Sequence, residues 1–252
     1  MKRIESVKNT QVKQWKKLHT KKERETTQTF LIEGFHLVEE ALNNKELIRE
    51  IIISESVDFP PTWNVDNVAV TVVTNEVMKF ISETETNQGI AAICEQFSTK
   101  EVSKEFSKLL LIDAVQDPGN LGTLIRTADA AGIDAVIIGD GSVDVYNSKV
   151  VRSTQGAIFH IPIIKGSLFH WFELLKKESI TIYGTALDEE SVTYKEVNPA
   201  KSFALVVGNE GSGVNPELLK ETTQNLYIPI HGKSESLNVA VAAGILLYHL
   251  QA

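Results

Sequence analysis

With 252 residues, 42% of them hydrophobic, the chain carries enough apolar material for one large core or two of ordinary size. It contains no run of eighteen apolar residues, and its first residues lack the apolar stretch of an export signal, which points to a cytoplasmic protein with no membrane partner. The formal net charge of −8 excludes a uniformly basic chain, yet residues 1–24 hold nine Lys and Arg against two Glu, a net +7, and leave −15 for the rest.

That basic start reads as one helix over Thr10–Glu25, with Val12, Trp15 and Leu18 as a narrow apolar stripe. Such a segment either steers toward phosphates, each cation releasing condensed counterions, or is a solvated helix that keeps the terminus soluble. Phe30–Gly34 follows as strand and turn, and Phe35–Leu42 as a helix with Phe35, Val38 and Leu42 on one face. Ile48–Ile53 and Val68–Val73 are β-branched strands separated by the breaker Pro60–Pro61. Thr74 is placed to cap a helix running to Ile81, and Gly89–Ile93 closes the first half as a strand. The single cysteine, Cys94, excludes an internal disulfide and reads as a small buried hydrophobe.

The polar stretch Gln96–Phe106 places a junction near residues 98–107, giving domains 1–98 and 107–252. Beyond it, apolar strands alternate with helices: strand Leu109–Asp113, helix Asn120–Ala131, strand Ala135–Ile138, helix Ser148–Gly156, strand Phe159–Ile164, helix Leu168–Lys177 and strand Thr181–Thr185. Strand Phe203–Val207, a short helix after Pro216, strand Leu226–Ile230 and a final helix Ser236–Leu250 complete the chain. Continuous apolar strands between helices predict an α/β fold with a parallel sheet covered on both faces.

Three segments carry the chemistry. Leu205–Gly213 (LVVGNEGSG) and Ile228–Asn238 (IPIHGKSESLN) each follow a buried strand and lead into a helix, and Gly-rich turns at strand carboxyl ends let the main chain approach a nucleotide-like ligand. Asp113–Asp129 contains a Pro118–Gly119 turn, Asn120 as a helix cap, and a stripe of Leu121, Leu124, Ile125 and Ala128 that leaves Arg126 free to reach a substrate. A nicotinamide fingerprint fits poorly, because Gly208–Gly213 is not G-x-G-x-x-G and comes late in the chain. The six histidines are scattered, so no metal is expected, and His231 reads either as a substrate contact or as a solvated loop residue.

In this order and at these intervals, Asn120–Arg126, Val207–Gly213 and Ile228–Ile230 with Ser236–Ala243 resemble the SpoU (TrmH) family of SPOUT-class RNA ribose 2′-O-methyltransferases, over residues 109–252. Phe30–Gly34 with Glu40–Leu42 resembles the family's small ribosomal-protein-like RNA-binding domain over residues 30–95. Ile230 departs from the Met that many members carry there. The resemblance implies a C-terminal trefoil knot, a rare exception to unknotted chains. It further implies S-adenosylmethionine as cofactor, a homodimer, and an RNA substrate. Ribosomal RNA is preferred over tRNA, and a non-catalytic ribosome-assembly factor on the same fold is the other alternative.

Carried onto this sequence, the resemblance makes Thr185, Ala186, Gly208, Asn209, Gly211, Gly213, Ile228, Pro229, Ile230 and Leu237 the cofactor-binding set. Arg126, Asn120, Glu210, Ser236 and Asn238 become the catalytic set. Arg126 is expected as an electrostatic clamp on phosphate and on the developing alkoxide, because a guanidinium is a poor base. Asn120 orients that Arg or the ribose, Glu210 holds Arg126 or Asn120, and Ser236 and Asn238 cap the last helix or touch substrate. The small residues on the final helix suit a subunit interface.

Overall fold

The computed structural model describes residues 2–44, 47–97 and 106–251. Packing divides them into two units: residues up to 97 together with Asp144–Phe159, and residues 106–143 together with those from His160 onward.

In the first unit, strands β1 (Lys2–Ile4), β2 (Thr29–Glu33), β3 (Ile48–Ser54), β4 (Ala69–Val73) and β5 (Ile90–Glu95) form a sheet of order β1-β4-β3-β5-β2. β4 runs parallel to β1 and β3, whereas β5 is antiparallel to β2 and β3. The expected helix over Thr10–Glu25 is instead two, α1 (Thr10–Lys17) and α2 (Lys21–Thr27), because Thr20 starts a new helix by accepting a hydrogen bond from Glu23 N. The leading segment is not a free basic arm. Its stripe of Val12, Trp15 and Leu18 is buried with Leu31, Ile52, Val77 and Ile93 in one core, and β1 pairs with β4. Lys13 and Lys17 remain exposed on α1, but Arg24 is only 4% exposed.

Helix α3 (Phe35–Leu42) buries Leu37, Val38, Ala41 and Leu42, so its inner face is rotated from the expected one and Phe35 is only half-buried. Helix α4 (Asn75–Ile81) is capped by Thr74 as expected. Cys94 is fully buried, and burial followed by the charge of Glu95 pushes its thiol pKa up. The chain also returns to this unit where composition gives no warning. Asp144–Phe159, with α6 (Ser148–Thr154), lies here, crossing the division expected at 98–107. Phe30 packs at a tilt against Tyr146 and stacks with Phe159, and Arg24 pairs with Asp144 at 2.7 Å. Phe159 therefore sits in a 3-10 turn over Ala157–Phe159 rather than starting a strand.

The second unit is a seven-stranded sheet of order β10-β12-β9-β11-β6-β7-β8, parallel throughout. Its strands are β6 (Lys108–Ile112), β7 (Ala135–Ile138), β8 (Ile163–Lys165), β9 (Thr181–Thr185), β10 (Val192–Thr193), β11 (Phe203–Val207) and β12 (Gln224–Tyr227). Leu109–Ile112 and Phe203–Leu205 are fully buried, as a strand covered on both faces requires. β12 stops at Tyr227 rather than reaching Ile230, because Pro229 donates no ladder hydrogen bond. The helices are α5 (Pro118–Ala130), α7 (Leu168–Lys177), α8 (Pro216–Leu219) and α9 (Val239–Gln251). α5 and α9 run side by side: Gly244 faces Thr127, and the Tyr248 hydroxyl donates to the Ala130 carbonyl at 3.2 Å. No helix of the described residues is long and apolar enough to cross a membrane.

Candidate active site

Along the sheet, the chain lays β7 and β8 on one side of β6 and later returns on the other side with β11, β9 and β12. The strand order therefore reverses between β6 and β11, the place where open parallel sheets bind ligands at their carboxyl edge. The loops after β6, β9, β11 and β12 all leave from that edge, and the nominated site residues lie in them except Thr185, which ends β9, and Asn120 and Arg126, which lie on α5.

Asp117, not Asn120, caps α5, accepting from Asn120 N at 2.9 Å with Pro118 at the first helical position. The Asn120 side chain is thus released for the site. Its Nδ2 donates to Glu210 Oε1 at 2.9 Å, and its Oδ1 accepts from Asn238 Nδ2 at 2.8 Å. Asn238 in turn caps α9, its Oδ1 accepting from Ala240 N at 3.0 Å and Val241 N at 3.3 Å. The Glu210 carboxylate also accepts from Gln116 N at 3.2 Å and Asp117 N at 3.0 Å. A continuous chain, Glu210 to Asn120 to Asn238, therefore ties together the three segments singled out in the sequence.

Burial would raise the Glu210 pKa, but the Asn120 side chain and the N–H groups of Glu210 itself, Gln116 and Asp117 together lower it. A carboxyl lowered in the folded state contributes its anchoring above its unfolded value and loses it as pH falls through the folded one. Glu210 should therefore hold the loops at neutral pH and release them only below the usual glutamate value of 4.5. Carboxyl chemical shifts of Glu210 followed through an acid titration, alongside those of the Asn120 amide, are expected to move together in that acid range. Independent titration of the two would break the proposed link.

Gly208 is required by the loop itself, since a Cβ there would lie 2.1 Å from Gly213 C and 2.2 Å from Val214 N. The loop folds back through paired main-chain bonds between Asn209 and Gly213, and Gly213 has a φ of +71°. Asn209 acts as its staple, Oδ1 accepting from Gly211 N at 2.9 Å and Ser212 N at 3.1 Å while Nδ2 donates to the Ala114 carbonyl at 2.9 Å. Thr185 donates its hydroxyl to Val206 O at 3.0 Å, and Ala186 N bonds Leu226 O at 3.2 Å, so both lock β9 to its neighbours. Ile228 and Pro229 are half-buried, while Ile230 and Leu237 are 38% and 37% exposed. Ser236 and His231 are exposed in the same coil.

Arg126 is exposed on α5 and has no ion pair among the described residues, so the structure shows Glu210 holding Asn120 and not Arg126. Sequence reading missed Asp113 and Asp117. Asp113 accepts from Asn215 N at 2.7 Å and so ties the β6 loop to the start of α8. The signal for Asp117 was present in Asp-Pro-Gly, a cap followed by proline at the first helical position.

The coil suits a nucleoside with a flat, edge-polar base. From Ile228 to Leu237, the main chain makes no hydrogen bond to another part of the described chain, although its first residues are half-buried. The Ile228 N–H and the Ile228 and Pro229 carbonyls, set beside apolar side chains, offer hydrogen-bonding groups of the kind an adenine edge requires. Two family models match the chain, SpoU rRNA Methylase over residues 107–248 and MRM3-like substrate binding domain over residues 9–92. The chain belongs to the SpoU rRNA methylase family.

It is 52% identical, over the full length of both chains, to the 23S rRNA (guanosine(2553)-2′-O)-methyltransferase RlmP of Bacillus subtilis (strain 168). Its fold matches the AdoMet-bound rRNA methyltransferase of Sinorhizobium meliloti with a TM-score of 0.90 at 31% identity, covering 99% of this chain and 97% of that one. The SpoU methyltransferase AviRb of Streptomyces viridochromogenes, in complex with AdoMet, shares the fold with a TM-score of 0.84 at 24% identity, with 97% of each chain covered. As a SpoU enzyme, the chain is an S-adenosylmethionine-dependent RNA 2′-O-methyltransferase.

Proposed function

We propose that this SpoU enzyme methylates the ribose 2′-oxygen of a guanosine in 23S ribosomal RNA. End-to-end identity of 52% to RlmP carries that reading, supported by the joined Glu210–Asn120–Asn238 chain. S-adenosylmethionine, when bound, supplies an electrophilic methyl on a sulfonium. Ile228, Pro229, Ile230 and Leu237 with the Gly208–Gly213 loop, Thr185 and Ala186 would hold it. Asn120 is held from both sides, by Glu210 and by Asn238, so a ribose seated against it finds a fixed amide rather than a mobile one. Arg126 keeps its charge and stabilises phosphate and the oxygen as it loses its proton. Asn209 and Asn238 act through the loops they staple, and Ser236 stands in the same coil as a substrate contact.

Residues 1–98 are read as the RNA-binding domain and 107–252 as the SPOUT methyltransferase domain, working in the cytoplasm where ribosomal RNA is found. The trefoil knot implied by the family is part of the same reading. So is the homodimer, supported by the outer face of α9, where Val241 and Tyr248 are 52% and 57% exposed with Ile245 between them. Val241→Glu with Tyr248→Glu is expected to convert a dimer into monomers in sedimentation velocity and to weaken methyl transfer with it. A monomeric wild type would dispose of the dimer.

The deciding experiment incubates the enzyme and labelled S-adenosylmethionine with total RNA lacking the modification, then maps the label. One labelled guanosine ribose in 23S rRNA is expected. Label in tRNA redirects the substrate, and cofactor binding without any label leaves an assembly factor.

A further inference from the structure

The first unit contains a cavity of about 220 Å³ that no step above uses. Its walls come from the turn after β2 (Glu33, Gly34, His36), the loop after α4 (Thr84, Gln88), and Arg152 on α6. The wall is built by hydrogen bonds. Glu33 accepts from Glu83 N and from the Thr84 hydroxyl, each at 2.9 Å, and Gln88 Oε1 accepts from Phe35 N at 2.8 Å. His36 Nε2 donates to the Gln155 carbonyl at 3.1 Å, which seats α6 against this turn. Gly34, at a φ of +95°, keeps the cavity open, because a Cβ there would meet Gln88 Oε1 at 3.0 Å. Among the wall's polar groups, the Gln88 Nε2 and the half-buried Arg152 guanidinium have no partner among the described residues.

We propose that this cavity receives one unpaired nucleotide of the RNA substrate, with its phosphate on Arg152 and the edge of its base on Gln88 and Glu33. The proposal rests on the RNA reading above and names where the first unit grips that RNA. The lining carries both signs: a bare anion meets Glu33, a bare cation meets Arg152, and a nucleotide brings an anionic phosphate together with N–H donors on its base. The volume falls below the roughly 300–1,000 Å³ of drug-sized ligand sites, which suits a single base rather than a longer segment. Sequence-specific RNA recognition favours splayed, unstacked bases of this kind.

The test is steady-state methylation of a 23S rRNA fragment by full-length Arg152→Ala, Arg152→Gln, Arg152→Lys and Gln88→Ala, with cofactor affinity measured in parallel by calorimetry. Arg152→Ala and Arg152→Gln are expected to raise KM for RNA about tenfold, as a lost phosphate contact does, and to lower the slope of log affinity against log salt by about 1. Arg152→Lys should restore part of the loss, Gln88→Ala should raise KM, and cofactor affinity should stay at the wild-type value. If Arg152→Ala misfolds, the neutral and polar Arg152→Gln decides. Unchanged KM and salt slope in Arg152→Gln, with the wild type methylating normally, overturn the pocket alone. A wild type that methylates no RNA sinks the RNA reading and the pocket together.

Discussion

Arg126→Ala is expected to lower methyl transfer by about 10²–10³-fold while leaving cofactor affinity and thermal stability at wild-type values, the loss typical when a charge-stabilising donor is removed from an active site. The stability half follows from the structure. Arg126 is exposed, stands off the buried stripe of Leu121, Leu124, Ile125 and Ala128, and forms no ion pair among the described residues, so its removal breaks no internal ion pair. The activity half follows from chemistry, since a guanidinium remains charged throughout any assay range and can act only as a fixed positive group. Arg126→Lys keeps charge but loses the planar fork, so it should recover a small part of the rate. Single-turnover rates with saturating RNA, set beside calorimetric affinity for the cofactor, check both halves. A full rate in Arg126→Ala would remove this residue from the mechanism.

Arg24→Ala is expected to destabilise the protein by about 3–5 kcal/mol, the cost of removing one partner from a buried ion pair. Arg24 is 4% exposed and its partner Asp144 has a side chain 11% exposed. The guanidinium donates to Asp144 through Nε at 3.1 Å and Nη2 at 2.7 Å, while Nη1 donates to the Leu18 carbonyl at 2.8 Å. Loss of Arg24 takes the cation away from Asp144 Oδ2 in a poorly solvated place and removes the donor to the Leu18 carbonyl at the end of α1. Chemical denaturation of the single variants and of Arg24→Met with Asp144→Leu separates the pair from its parts. The double variant should recover much of the loss, because an apolar pair of similar volume replaces both charges. Equal stability of Arg24→Ala and wild type would mean that this contact holds nothing together.

Much of the second unit was legible because buried parallel strands leave a strong trace. Leu109–Ile112, Ala135–Ile138 and Phe203–Val207 are uninterrupted apolar runs between helices, and each became a strand within a residue or so of its expected bounds. The site was legible as a set of segments but not as a wiring. Glu210 was given a choice of Arg126 or Asn120, and only three-dimensional placement selects Asn120. Asn120 itself looked like the cap of α5, since Asn is a favoured capping residue, but Asp117 stands three positions earlier with proline after it and takes the role.

The weakest reading concerned the basic start and the stretch 144–159, for a shared reason. In both, the side chains that anchor the segment, Trp15, Tyr146 and Phe159, are buried through contacts with residues distant in the sequence, which no local pattern announces. A charged residue such as Arg24 gives no local sign that a carboxylate 120 positions away will neutralise it.

The bond from Asn238 to Asn120 spans 118 positions and reaches back from the start of the last helix. A ribosome making this protein therefore cannot release an active enzyme piecemeal, because the loop after β6 waits, half-furnished, until the final helix emerges. Long-range closure of this kind is slow compared with local helix formation. Cofactor capture by nascent chains of increasing length should consequently switch on only once Asn238 and α9 have emerged.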